Sequence, residues 1–148
     1  MVSEVVELLE MLWEHSKEVP TAPVSTAQLR AMYLLEREDG IKLKSLADGL
    51  GATPPSASRL CDRLEAVGFL ERAPSASSRR ELELSLTPAG REHLGKVRAL
   101  REEHLAPLVT AMPAVQQAAL RDGLRALQAA AADARAASEG RGTSMRSA

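Results

Sequence analysis

The chain has 148 residues at a formal net charge of −1, with 45% hydrophobic and 26% charged residues, which predicts one globular domain over residues 1–137 with a true core. No apolar run approaches the ~20 residues of a membrane helix, and the start MVSEVVELLE lacks both the cationic stretch and the cleavage site of a secretory signal, so a cytoplasmic protein with no membrane partner is expected. The single cysteine excludes an internal disulfide, the three scattered histidines give no metal-ligand spacing, and 2% aromatics exclude the stacking platform of a single-strand binder.

Residues 2–18 place Val2, Val5, Val6, Leu9, Leu12 and Trp13 at helical spacing, with Glu4, Glu7, Glu10 and Glu14 opposite, so an amphipathic helix is expected. Pro20 and Pro23 break it. Ser25 followed by Gln28 reads as a capping box opening a second helix to about Glu38, which Asp39-Gly40 ends. A short third helix covers about Lys42 to Leu50 and stops at Gly51. Thr53 before Pro54 is an N-cap with proline at the first helical position, so a fourth helix runs from Pro54 to about Val67 and Gly68 caps it.

After Gly68 the period drops to two. Leu82, Leu84 and Leu86 alternate with Glu81, Glu83 and Ser85 as a half-buried strand, with Phe69 to Arg72 as its antiparallel partner across the loop APSASSRR. Thr87-Pro88 opens a long helix that Pro107 is expected to kink or break. Pro113 starts a last helix with Leu120, Leu124 and Leu127 on one face, and the polar segment 138–148 predicts a disordered tail.

Short helix, glycine turn, second helix and a two- or three-stranded antiparallel wing with a basic tip make a mainly α fold, a winged helix-turn-helix with its core at about 25–91. The helices at about 2–18 and 88–136 flank it, and their uncovered apolar stripes predict a homodimer. Ala47 is small where the third and fourth helices cross, and Leu60 with Leu64 fixes the fourth helix on the core. Charge is unevenly spread: residues 1–41 hold three Lys/Arg against eight Asp/Glu, while residues 42–91 and 92–148 each hold eight against six. A phosphate-binding surface needs local positive charge only, so this distribution permits DNA binding.

The runs LADGLGATPPSASRLCDRLEAVGFLER and SSRRELELSLTPAG resemble the MarR family of bacterial transcriptional regulators over residues 5 to about 135. The most specific matches are Arg59-Leu60, Asp62-Arg63-Leu64 and Gly68, then Arg79-Arg80, Ser85-Leu86-Thr87-Pro88 and Gly90. One departure is Ser78, where the family usually carries an acid that orients a wing arginine. The resemblance implies a repressor of a palindromic operator in double-stranded DNA. It also implies release by a small phenolic or aromatic acid effector held where the dimerisation helices meet the winged core.

The residues themselves assign the contacts. On the fourth helix Ala57, Leu60, Cys61, Leu64 and Gly68 fall on one face and are expected to point inward, while Ser56, Ser58, Arg59, Asp62 and Arg63 point outward. The start of such a helix reaches base edges in the major groove, so Ser56, Ser58 and Arg59 are base-reading candidates. Lys44 and Thr53 suit phosphate, and Arg63 suits either DNA or a structural ion pair. Arg79 and Arg80, at the hairpin tip, suit an adjacent minor groove. Trp13, His15, Arg30 and Tyr33 on the first two helices are the effector-binding candidates. Cys61 faces inward and is expected to be inert rather than a redox sensor. No nucleophile and base pairing, phosphate loop or dinucleotide motif is present, so neither an enzyme nor a cofactor is expected. The alternatives are a winged-helix protein-interaction module or an effector-independent DNA-binding protein. A protein-binding face would display aromatics, whereas the fourth helix displays serine and arginine.

Overall fold

Helix α1 spans Val2–His15 and helix α2 spans Thr26–Arg37 in the computed structural model, which describes residues 2–15, 24–75 and 81–144, the side chains at 13–15, 135 and 138–144 excepted. The start of α2 is the capping box that the sequence predicts. The Ser25 hydroxyl accepts from the Gln28 N–H at 3.2 Å, and the Gln28 side-chain oxygen accepts from the Ser25 N–H at 2.8 Å, so two donors orphaned at a helix start are satisfied. Gly40, at φ 77, turns the chain into strand β1 (Ile41–Lys42). The sequence assigns Lys42 to a helix because a two-residue strand has no period of its own to read.

Helix α3 (Leu43–Leu50) ends at Gly51, whose left-handed backbone (φ 62, ψ 33) closes the tight turn before helix α4 (Pro54–Ala66). Strand β2 (Leu70–Pro74) and strand β3 (Leu82–Leu86) follow, and the sheet order is β1-β3-β2, antiparallel throughout. Leu70 lies opposite Leu86 and Arg72 opposite Leu84, while Ile41 lies opposite Leu84 on the other side. Pro74 is accommodated because β2 is an edge strand. Leu84 and Leu86 are buried as the alternation predicts, but Leu82 is 49% exposed, since the inward face of β3 outruns the core towards the hairpin tip.

Helix α5 (Pro88–Thr110) continues through Pro107 for one more turn instead of breaking there, and helix α6 spans Ala114–Ser144. The latter passes the expected end of order near residue 137 through the polar segment 138–144, which holds no alanine and two glycines and supplies no local reason for the extension. The chain divides into two compact units, Met1–Glu102 and Glu103–Ala148. The physical reason is where the core lies: all buried side chains among the described residues fall between Gln28 and Leu94, with Met32, Leu35, Leu46, Leu64, Leu86 and Leu94 at its centre.

The corner between α4 and β2 is held by the start of α5. Thr87 donates its hydroxyl to the Gly68 carbonyl at 2.6 Å and its N–H to the Phe69 carbonyl at 3.1 Å. Gly90 packs so closely there that a Cβ would sit 2.4 Å from the Phe69 oxygen. Gly90→Ala is therefore expected to destabilise the protein by about 1–3 kcal/mol, despite the better helix propensity of alanine, with the loss read from urea unfolding.

Candidate nucleic-acid interface

Helix α4 owes its start to Thr53, whose side-chain oxygen accepts from the Ser56 N–H at 3.4 Å while its hydroxyl donates to the Ser56 hydroxyl oxygen at 3.0 Å. Ala57, Cys61 and Leu64 are completely buried and anchor the helix on the core, with Leu60 half-buried beside them. Gly68 departs from the expected inward face: it is exposed, lies past the helix end and adopts φ 78 to turn the chain. Its place in the helical spacing is overridden by its role in the turn.

Ser56, Arg59, Asp62 and Arg63 are exposed on the outward face, whereas Ser58 is half-buried. Neither arginine forms an ion pair or side-chain hydrogen bond among the described residues. The neighbouring acids are engaged elsewhere: Arg72, from β2, pairs with Asp62 and lies 3.5 Å from the Glu65 carboxylate. Arg63 thus forms no structural salt bridge among the described residues. Lys44 is exposed on the first turn of α3. Thr53 is exposed at the α4 start, where its hydroxyl serves the cap.

The wing stem is tied down on both sides. Lys42 pairs with Glu81 at 2.5 Å, Ser75 donates its hydroxyl to Glu83 at 2.6 Å, and the Ser75 N–H reaches the Glu81 carbonyl at 2.8 Å. The hairpin tip at 76–80, with Ser78, Arg79 and Arg80, lies outside the described residues.

Of the four effector candidates, the side chains of Trp13 and His15 also lie outside the described residues, and Arg30 is exposed on α2. Tyr33 is half-buried against the core, and its hydroxyl accepts from Arg101 Nη1 at 2.7 Å. The Arg98 guanidinium lies 5.9 Å from the Tyr33 ring centroid and also grips Glu36, whose carboxyl it holds below the usual carboxylate range. Arg91, also on α5, lies 3.2 Å from Asp39 in the turn that follows α2. These arginines and Arg72 are not singled out by the sequence, because their partners are brought to them only by the fold.

Burial pushes the Cys61 thiol up to about 11, in keeping with an unreactive side chain. His93, buried and stacked on Phe69 at 4.7 Å between ring centroids, is held below its ordinary value first by desolvation and then by the charge of Lys96. The folded state therefore binds this proton less readily than the unfolded chain. Its contribution to stability is present above the ordinary pKa of 6.5 and is lost as pH falls towards the lower folded value. Urea midpoints are accordingly expected to drop on acidification below about pH 6.5, and less so in His93→Gln. Among the described residues, no three His, Cys, Asp or Glu side chains come together to hold a metal ion, and no helix is long and apolar enough to cross a membrane.

A short helix, a left-handed glycine turn, a helix that exposes two arginines and a three-stranded antiparallel sheet define a winged helix-turn-helix protein. The family model described as "MarR family" matches residues 24–82, and the chain belongs to the MarR family. The solved structure of RV1404 from Mycobacterium tuberculosis is 30% identical and superposes with a TM-score of 0.78, covering 88% of this chain and 89% of that one. The HTH-type transcriptional regulator MT0903.1 of M. tuberculosis is 34% identical over 59% of this chain. The transcriptional repressor MprA of Escherichia coli is 31% identical over 60%. The matched stretches span 61% and 51% of the lengths of these two curated relatives.

Proposed function

We propose that this chain is a homodimeric, sequence-specific DNA-binding regulator that represses transcription from a palindromic operator in the cytoplasm and has no enzymatic activity. The observation that carries this reading is the outward face of α4, where Arg59 and Arg63 stand exposed and without an ion-pair partner among the described residues, while Arg72 pairs with the adjacent acids. Arg59, Ser56 and Ser58 read base edges. Lys44 and Thr53 contact phosphate, Arg63 joins the DNA contacts, and Arg79 and Arg80 enter the flanking minor groove. The likeness to the transcriptional repressor MprA supports repression, and the exposed leucines of α6 support pairing with a second copy.

Release by a small aromatic acid belongs to the same reading, with Trp13, His15, Arg30 and Tyr33 as its contacts. Only a ligand that favours a dimer geometry incompatible with B-DNA would weaken binding. Arg30→Ala is expected to reduce the affinity of a genuine inducer, measured by calorimetry; unchanged affinity removes Arg30 from the site. Binding to duplex DNA followed by anisotropy is expected to fall steeply with salt, as on the order of 6 to 10 phosphate contacts release counterions. A flat salt response contradicts the DNA-binding reading.

A further inference from the structure

We infer that Arg72 is a positioning residue for DNA binding, one that touches no DNA itself but withdraws Asp62 and Glu65 from the recognition surface and so leaves Arg59 and Arg63 free. This rests on the DNA-binding reading of α4. Arg72 lies opposite Leu84 in the β2–β3 ladder, and thus on the core-facing side of the sheet with Leu70, at the point where that face runs out beside α4. Its side chain is only 26% exposed, whereas those of Asp62 and Glu65 are 56% and 46% exposed. The guanidinium is thus tucked behind the helix, hydrogen-bonded to Asp62 and in a looser ionic contact with Glu65.

The charge balance shows what this arrangement does. Arg59 and Arg63 against Asp62 and Glu65 sum to zero, and Arg72 makes the patch net positive. Spacing adds a second effect. Asp62 lies three residues after Arg59 on the same helix, within ordinary ion-pairing reach. Without Arg72, Asp62 is the nearest partner for Arg59, and an arginine bound to a carboxylate cannot present its fork to a guanine edge. Arg72 therefore favours the free state of the base-reading arginine and lowers repulsion between the helix and the phosphates.

The experiment compares four proteins by anisotropy on a palindromic duplex recovered by selection from random DNA and on a mixed-sequence duplex. They are wild type, Arg72→Met, Arg72→Met with Asp62→Asn and Glu65→Gln, and Asp62→Asn with Glu65→Gln. Arg72→Met is expected to bind the palindrome about tenfold more weakly while its melting temperature stays close to wild type, because a partly exposed ion pair contributes little to stability. Removing the two acids in the Arg72→Met background is expected to restore wild-type affinity, since nothing then remains to be withdrawn. The double variant that keeps Arg72 is expected to bind at least as tightly as wild type. Failure of the triple variant to recover, with a cooperative melt retained, would mean that Arg72 contacts DNA directly and would overturn the inference. Unchanged affinity in Arg72→Met overturns it too. Absence of wild-type binding to either duplex overturns the DNA-binding reading itself and this inference with it.

Discussion

Arg59→Ala is expected to weaken operator binding by about 1–3 kcal/mol per half-site and to relax discrimination at a single base position in each half. Because a dimer presents the residue twice, the loss for the whole complex approaches twice that figure, among the largest available from one substitution. The expectation follows from geometry. Arg59 sits on the second turn of α4, is exposed, and has no competing carboxylate, since Asp62 is held by Arg72. The helix beneath it is fixed by completely buried Ala57, Cys61 and Leu64. A truncation at position 59 therefore removes a donor fork and leaves its mounting intact. Binding to a saturation library of half-sites reads the result: uniform weakening at every base position would place Arg59 on phosphate instead.

Local signals accounted for much of this arrangement. The capping box at Ser25, the threonine and proline pair opening α4, the glycine ending α3 and the alternation of Leu84 and Leu86 each operate over a few residues, and each appears where the sequence puts it. The elements missed have other causes. Strand β1 is two residues long and exists only because β3 pairs with it. Helix α6 runs on through the polar, glycine-containing segment 138–144, whose composition carries no helix signal to read. In the candidate site, the outward position of Arg59 and Arg63 was legible from helical period alone. The Arg72 clamp, 10 residues from Asp62 in sequence, and the pairing of Arg98 with Glu36, 62 residues apart, were not, because ion pairs across elements have no signature in spacing. Gly68 shows the converse, a residue that fits a helical face by count while the turn claims it.

The second large effect concerns α6. Leu120, Leu124 and Leu127 are 38%, 50% and 65% exposed, a stripe at helical spacing, and none of the described side chains of the helix is buried. Burial at about 25 cal/mol per Å² makes such a surface a strong contributor to association once a second copy covers it. Leu124→Glu with Leu127→Glu is expected to place charges at the centre of that contact and to give a monomer by light scattering. The winged core is expected to remain folded, since its buried side chains all lie between Gln28 and Leu94. Operator affinity is expected to fall by about 10²-fold or more, because two half-sites can then no longer be engaged through one linked molecule. A variant that stays dimeric removes the α6 stripe from the interface.

The most direct test of the account is selection from random duplex DNA with the purified full-length protein, followed by sequencing of the retained pool. Two copies of α4 related by a two-fold axis predict enrichment of a palindrome whose half-sites are centred about one helical turn apart, ~34 Å, on the duplex. Strong retention of DNA with no enriched sequence, or no retention at all, would contradict it.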